Sequence, residues 1–224
     1  MNKIVSFSLW GDNPKYTIGA VKNAHLVQEL YSGWIGRFYC GRSVPQEILD
    51  KLNEVSNTEV ILIDEEGDWT STMWRFLSAD SNDVVLSRDT DSRISEREVD
   101  AVNEWLESDK DFHIMRDHPE HGTQILAGMW GSRNGILKGI TEHINSYVKE
   151  NREEYSHIKQ TDQTFLKHYI WPKIENNALS HDEFFNGVPF PKIRKDWNDF
   201  VGQVYDEHDA PTQEYAVLLE ESQT

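Results

Sequence analysis

Short apolar segments alternate with helical patterns through the first half of the chain, and no other feature constrains its fold as strongly. Three of these segments are rich in β-branched and aromatic residues, which favour strands. Strands are predicted at "KIVSFSLWG", "GWIGRFYCG" and "EVILID", and helices over about 19–31, after Pro45 and near 69–77. Such alternation is typical of parallel sheets. The sequence therefore predicts an α/β fold with a mixed, mainly parallel sheet flanked by helices.

The second half of the chain is less regular. Short strands are predicted at "FHIMR" and "TQILAGMW", and a helix at "ILKGITEHINSYV". A second helix is predicted to start with a capping Thr161 and to end near Pro172, because proline disrupts a helix interior. From about residue 176 the pattern predicts loops and then an acidic tail. No repeat or linker indicates a second domain, so one domain is expected over residues 1–224.

Two carboxylates follow the fourth apolar segment, in "DVVLSRDTDSRIS" at residues 83–95. Asp89 and Asp91 stand one residue apart, and extended backbone projects alternate side chains to the same side. Oxygen ligands so placed can reach one hard divalent cation. Ser95 and Glu98 form an S-x-x-E capping box, which predicts a helix directly afterwards. The pair therefore lies at the carboxyl end of a strand, where open α/β sheets bind their ligands.

The Asp-x-Asp motif by itself does not indicate a cation site, because the chain is rich in Asp and one such pair is expected by chance. A second pair, Asp109 and Asp111, is indeed present, but it follows a helix and is expected in a solvated loop. Asp89 and Asp91 gain their interest from the strand before them and the capped helix after them.

Composition narrows the classes of function. The net charge of −17 disfavours general binding to nucleic acid or anionic lipid. A single cysteine, Cys40, excludes an internal disulfide and fits a reducing compartment. No apolar segment is long enough to span a membrane, and the first is too short for a signal peptide. A cytoplasmic protein is therefore expected. Neither a zinc site at 113–121 nor a nucleophilic Cys40 is favoured, since the histidine spacing matches no zinc motif and Cys40 lies in an apolar strand.

The order of these motifs resembles the nucleotide-sugar glycosyltransferases of the GT-A fold. The upstream "WRFL" helix carries Arg75, which resembles the arginine that fixes the Asp-x-Asp site in several such families. "FSLWG" is similar to their nucleotide-binding first strand. "LAGMWG" is similar to the small-residue segment beside the donor sugar, and "TDQTFL" to their late Asp-Gln helix. The resemblance covers most of the chain.

The resemblance implies a metal site and a diphosphate contact. A histidine from the carboxyl-terminal region commonly completes the metal site in this fold, and His181 in "LSHDEFF" matches that position beside Asp89 and Asp91. An imidazole added to carboxylates favours Mn²⁺ over Mg²⁺. A lysine of that region contacts the diphosphate in relatives, which implies Lys192, with Arg194 or Lys195 as alternatives.

The remaining implied roles concern the donor, the acceptor and the chemistry. Residues 1–95 would form the nucleotide-binding half, residues 96–210 the half that completes the metal and acceptor sites, and residues 211–224 the acidic tail. Contacts to the nucleotide sugar are implied for Ser8, Leu9, Trp10, Arg75, Thr90, Trp130 and Lys192. Catalytic roles are implied for Asp162, Gln163 and Asp117.

The resemblance thus implies a metal-dependent hexosyl- or pentosyltransferase that uses a nucleotide-diphosphate sugar, with UDP as the expected nucleotide. The acceptor stays open between a glycan, a protein, a lipid precursor and modified DNA, and the oligomeric state stays open too. A histidine ligand favours retention of configuration; inversion would need a base such as Asp117, Asp162 or Asp182. The alternatives are a metal-dependent nucleotide-sugar hydrolase and a non-catalytic nucleotide-sugar-binding module.

Overall fold

One seven-stranded sheet organises the chain in the computed structural model, which describes residues 1–211. The strand order is β3-β2-β1-β4-β6-β5-β7, and β6 runs antiparallel to both of its neighbours while the other adjacent pairs are parallel. The strands are β1 (Lys3–Leu9), β2 (Ile35–Gly41), β3 (Thr58–Ile63), β4 (Val84–Arg88), β5 (Phe112–Arg116), β6 (Met129–Ser132) and β7 (Ala178–Asp182). The predicted mixed, mainly parallel sheet is confirmed. The predicted acidic tail lies outside the described residues, except for its first position.

Helical segments cover both faces of this sheet. They are α1 (Pro14–Leu30), α2 (Gln46–Glu54), a 3₁₀ helix (Trp69–Asp80), α3 (Glu96–Glu107), α4 (Ile140–Tyr155), α5 (Thr161–Phe165), a π-helical turn (Leu166–Ile170) and α6 (Trp171–Ile174). Side chains alternate along β1, so that Val5 and Phe7 pack under α1 and α2, whereas Ile4 packs under the 3₁₀ helix and α4. Each face of the sheet thus has its own apolar core. Among residues 1–211, no helix is long and apolar enough to cross a membrane.

Helix α1 begins five residues earlier than its apolar stripe predicts. Pro14 occupies the first turn, where its fixed φ suits the helix and its missing N–H costs nothing. The Asn13 side chain caps this end by accepting the Lys15 N–H at 3.0 Å. The added turn lies next to the carboxyl end of β1, and it becomes important for the site.

The helix predicted to end near Pro172 extends slightly beyond it, to Ile174. The chain remains helical through residue 174, because Leu166–Ile170 forms a π-helical turn and Pro172 then falls in the first turn of α6. Thr161 is not the cap either; Gln160 precedes the helix with a φ of 73°. The loop predicted from residue 176 contains β7, a short strand that pairs in parallel with β5.

The capping box before α3 is half correct. Ser95 accepts the Glu98 N–H at 3.3 Å, as predicted. The Glu98 carboxylate does not return to the cap; it accepts hydrogen bonds from Arg88 Nε at 2.7 Å and from the Tyr31 hydroxyl at 3.0 Å, all in the protein interior. The buried guanidinium of Arg88, at the end of β4, requires a carboxylate partner. Leaving that charge unpaired would cost more free energy than a second capping hydrogen bond would gain.

Removal of the Glu98 carboxylate should therefore be costly. We expect Glu98→Ala to lower the free energy of unfolding by about 3–5 kcal/mol, because Arg88 would be left buried without its ion-pair partner. Tyr31→Phe removes one hydrogen bond from the same carboxylate and should cost only about 1 kcal/mol. Urea denaturation measures both values. Equal and small losses would contradict the importance of the Arg88–Glu98 pair.

A buried histidine pair joins β5 to β7. His113 Nε2 lies 2.8 Å from His181 Nδ1, and neither ring is exposed. The His113 ring also stacks on Trp105, with 5.3 Å between ring centroids. Burial, reinforced by the neighbouring His181 and Arg88, holds the pKa of His113 well below its usual range. Burial also lowers the pKa of His181, although Glu104 opposes the shift.

This pair predicts a loss of stability in mild acid. Below about pH 6.5 the unfolded chain protonates His113 while the folded chain does not, so protons favour unfolding. The free energy of unfolding should fall by up to about 1.4 kcal/mol per pH unit for each such histidine. His113→Gln should flatten this dependence between pH 6 and 5 in denaturation curves. His25→Gln, at an exposed position of α1, is the control and should leave the slope unchanged.

Candidate functional site

A cavity of about 410 Å³ opens at the carboxyl ends of β1 and β4. These strands are parallel neighbours, so the residues that follow them meet at one edge of the sheet. The cavity is also lined by the 3₁₀ helix, by the start of α5 and by the segment just before β6. Nine of the predicted site residues line it: Ser8, Leu9, Trp10, Arg75, Asp89, Thr90, Asp91, Asp162 and Gln163.

Arg75 connects three elements of this cavity. Its Nη1 lies 2.9 Å from Asp89 Oδ1, and its Nη2 lies 2.8 Å from Asp162 Oδ2. Its backbone N–H donates to the Ser8 hydroxyl at 2.8 Å, which fixes the 3₁₀ helix against β1. Only 4% of the Arg75 side chain and 7% of the Asp162 side chain are exposed, so their ion pair is little screened by water, whereas Asp89 is partly exposed. Arg75 thus contacts the Asp-x-Asp segment directly, as the resemblance implies.

Negative charge at the cavity exceeds the positive charge in contact with it. Burial raises the pKa of Asp89 to about 6; Arg75 opposes this shift, while Asp91 and Asp162 add to it. Asp91 Oδ2 lies 2.9 Å from Lys15 Nζ. Within the described part of the chain, these three carboxylates are therefore matched by two contacting cationic groups. Such a cluster can bind a further cation, because the cation would relieve the carboxylate repulsion.

The backbone before β6 packs directly on Asp89. A Cβ at Gly128 would lie 1.8 Å from Asp89 Oδ2, so no larger residue fits without moving the carboxylate. Ala127 and Met129 line the cavity on either side of it. Trp130, predicted to contact the nucleotide sugar, is instead a core residue. Its ring is fully buried and lies near Phe76 and Phe112, because alternation along β6 turns it away from the cavity.

His181 is not brought to the carboxylate pair. It lies on β7, and β6 and β5 separate that strand from β4, a spacing of about 14 Å for three strand intervals. Its ring contacts His113 and Phe190, and its Nε2 lies 3.6 Å from Glu104 Oε2. Among residues 1–211, no three His, Cys, Asp or Glu side chains are grouped to hold a metal ion. The predicted three-ligand set with Asp89 and Asp91 is thus corrected, because the region assigned to loops forms an edge strand.

Asp117 and Lys192 are also engaged elsewhere. Asp117 is fully buried, and Arg97 donates to both of its oxygens at 2.7 and 2.8 Å. Arg194 and the Val201 N–H bind the same carboxylate, which therefore anchors the segment after β7 rather than lining the cavity. Lys192 pairs with Glu96. The two alternatives for the diphosphate contact are no better placed. Arg194 pairs with Asp117, and Lys195 Nζ lies 3.6 Å from Glu96 Oε2.

The remaining donor set fits a hard divalent cation in an open site. Asp89 and Asp91 offer two carboxylates, and Mg²⁺ is commonly bound by one or two carboxylates together with substrate phosphates and water. The absence of an imidazole from this set removes the argument that favoured Mn²⁺ over Mg²⁺. The excess of negative charge on Asp89, Asp91 and Asp162 supports the same assignment.

Several residues at the cavity were missed by sequence reasoning. Tyr16 lines the cavity and Lys15 contacts Asp91 beside it; both lie in the first turn of α1, which the signals of Asn13 and Pro14 would have located. Burial and the nearby Asp91 raise the pKa of the Tyr16 phenol. Trp69 and Lys159 also line the cavity: Trp69 meets the predicted Trp10 edge to face at 5.8 Å, and the Lys159 ammonium lies 5.1 Å from the Trp69 ring. Nothing in the sequence pairs these three residues.

Comparison with known proteins supports the fold. No protein-family model and no curated protein matches the chain. Among solved structures, the glycosyltransferase GlyE of Streptococcus pneumoniae TIGR4 is similar at a TM-score of 0.50 and 16% identity, over 81% of this chain and 45% of that one. The chain thus spans less than half of that protein.

Two further solved structures are similar at lower scores. A glycosyltransferase involved in the glycosylation of the major capsid of PBCV-1 has a TM-score of 0.46 and 17% identity, over 80% of this chain and 82% of that one. Glucosyl-3-phosphoglycerate synthase from Mycobacterium tuberculosis, in complex with Mn²⁺, UDP-glucose and phosphoglyceric acid, has a TM-score of 0.44 and 16% identity, over 61% and 57% of the two chains. The sheet order and the similarity to the streptococcal protein identify the fold of this chain as GT-A-like.

Proposed function

We propose that this protein is a glycosyltransferase that moves a sugar from a nucleotide-diphosphate sugar to an acceptor and uses a divalent cation. The observation that carries the proposal is the cavity at the carboxyl ends of β1 and β4. There the end of β1 lies beside three carboxylates, Asp89, Asp91 and Asp162, which contact only two cationic side chains in the described part of the chain. The GT-A-like fold supports it. A divalent cation would offset the negative charge of this cluster, and the cavity volume is in the range of small-molecule sites.

The first strand and two tryptophans would hold the nucleotide. Ser8, Leu9 and Trp10 line the cavity at the end of β1, and Trp69 forms the wall beside Trp10. An aromatic wall of this kind can pack against a base while backbone groups bind its edge. Thr90 lines the cavity between the two carboxylates. The nucleotide that we expect is UDP.

Asp89 and Asp91 would hold the cation against the diphosphate. When bound, the cation neutralises the charge that develops on the leaving diphosphate. Arg75 keeps Asp89 in place, because its Nη1 lies 2.9 Å from Asp89 Oδ1 and adds a fixed positive charge there. Preorganised charge of this kind needs no rearrangement during the reaction. Lys192, which pairs with Glu96, has no part in this arrangement.

Asp162 and Gln163 would face the transferred sugar or the acceptor. Both line the cavity, whereas Asp117 and Asp182, the other candidate bases, are absent from its lining. The Asp162 carboxylate accepts from Arg75, which keeps it oriented towards the cavity wall. The preference for retention depended on His181 as a metal ligand, and it loses that support. Asp162 is the base that an inverting reaction would use.

Charge bears on the acceptor as well. The basic residues Lys192, Arg194 and Lys195 all pair with carboxylates, so they leave no strongly basic surface for a polyanion. With a net charge of −17, the protein is poorly suited to an acceptor such as modified DNA. We therefore favour a glycan, a protein or a lipid precursor as the acceptor class.

Removal of either cavity carboxylate tests the proposal. We expect Asp89→Asn and Asp91→Asn each to reduce sugar transfer by about 10²–10³-fold, because the cation that stabilises the leaving diphosphate loses a ligand. Transfer from a panel of nucleotide sugars in the presence of Mg²⁺ or Mn²⁺ is measured by mass spectrometry. Chelation of the cation should abolish the same activity in the unaltered protein.

The matched control is Asp109→Asn, at the exposed position of the second Asp-x-Asp pair, and it should retain full activity. Release of nucleotide and free sugar without transfer to any acceptor would instead identify a hydrolase. Binding of a nucleotide sugar without turnover would identify a binding module. Activity that survives both Asp→Asn variants would exclude the proposed role of the carboxylate pair.

A further inference from the structure

One face of α1 packs against the turn that carries Asp89 and Asp91. Lys15, Gly19 and Asn23 are spaced four residues apart, so they lie along the same side of the helix. Each of them contacts the 89–92 turn. This face has no place in the roles assigned to the cavity so far.

Asn23 binds the backbone of the turn and is itself fully buried. Its Nδ2 donates to the carbonyl oxygens of Thr90 at 3.2 Å and Ser92 at 2.9 Å. Its Oδ1 accepts the N–H of Ile94 at 3.3 Å. A single amide therefore fixes three backbone groups of the segment, and only an amide offers two donors and an acceptor in this geometry.

The turn is held from two further sides. A Cβ at Gly19 would lie 2.1 Å from the Thr90 carbonyl oxygen, so the helix backbone itself supports the turn. On the opposite side, the Tyr205 N–H donates to the Asp91 carbonyl at 2.8 Å. The position of the Asp91 backbone is thus determined by contacts, and the direction of its side chain by its ion pair.

Lys15 provides that ion pair. Its Nζ lies 2.9 Å from Asp91 Oδ2, and 17% of the Asp91 side chain is exposed. Two turns further along α1, Lys22 makes a similar contact of 2.6 Å, but with Asp209 outside the cavity. A divalent cation that binds Asp91 must share or replace the Lys15 ammonium, because both would occupy the same carboxylate.

We propose that this face of α1 sets the affinity of the Asp89–Asp91 pair for its divalent cation, through two opposing effects. Asn23 raises the affinity as a positioning residue, because it holds the turn in the geometry that presents both carboxylates. Lys15 lowers the affinity as a resident counter-ion, because it neutralises Asp91 when the cation is absent. This inference rests on the proposed function, since it requires a cation at the pair.

Calorimetric titration of the full-length protein with Mg²⁺ or Mn²⁺, without nucleotide, tests both effects in one measurement. Lys15→Met should bind the cation about fivefold more tightly, the size of a partly exposed ion pair. Asn23→Ala should bind it at least about tenfold more weakly, as expected for loss of a residue that orients metal ligands. Lys22→Met removes the same charge from the same helix and should bind as the unaltered protein does.

The outcomes separate this inference from the proposed function. Cation binding by the unaltered protein with no change in Lys15→Met overturns the counter-ion role alone. Tighter binding in Lys15→Met and Lys22→Met alike would show general charge repulsion, which also overturns it. If the unaltered protein binds no cation, both the inference and the metal site fail. Should Asn23→Ala not fold, Gly19→Ala, which displaces the same turn, should weaken binding in its place.

Discussion

The site depends on one buried guanidinium. Arg75 joins Asp89, which follows β4, to Asp162, which lies 73 positions later at the start of α5, and its backbone is bound by Ser8 at the end of β1. Removal of one partner from a buried ion pair costs about 3–5 kcal/mol, because the other charge stays buried. The ion pair between Arg75 and Asp162 therefore stabilises the contact between the first and second halves of the chain. Arg75 thus holds together three of the elements that line the cavity.

This dependence explains which parts of the site could be predicted from the sequence. Alternation of strands and helices placed Asp89 and Asp91 at the end of β4, since strand and helix periodicity is local information. Arg75 and Asp162 came from the resemblance, and the structure brings both to the cavity. Lys15 could have been found as well, because Asn13 and Pro14 are strong signals for the start of a helix.

The residues that were misplaced share a different cause. His181 and Asp117 depend on how the segment after residue 176 folds, and that segment pairs with β5 through contacts distant in sequence. Local patterns carry no signal for such pairing, because Ala178–Asp182 is short and largely polar. The prediction for Trp130 was wrong for a simpler reason. Side chains alternate between the two faces of a strand, and only the tertiary structure tells which face meets the cavity. Prediction of these site residues from the sequence was therefore limited by long-range strand pairing and not by weak secondary-structure propensity.

The charge balance of the cavity also constrains the order of binding under the proposed function. In the described part of the chain, Asp89, Asp91 and Asp162 are in contact with Arg75 and Lys15, which leaves a charge of about −1. A diphosphate that approached this cluster alone would be repelled. With a divalent cation in place the same cluster becomes positive and attracts the diphosphate. The cation should therefore enter before the nucleotide sugar or together with it.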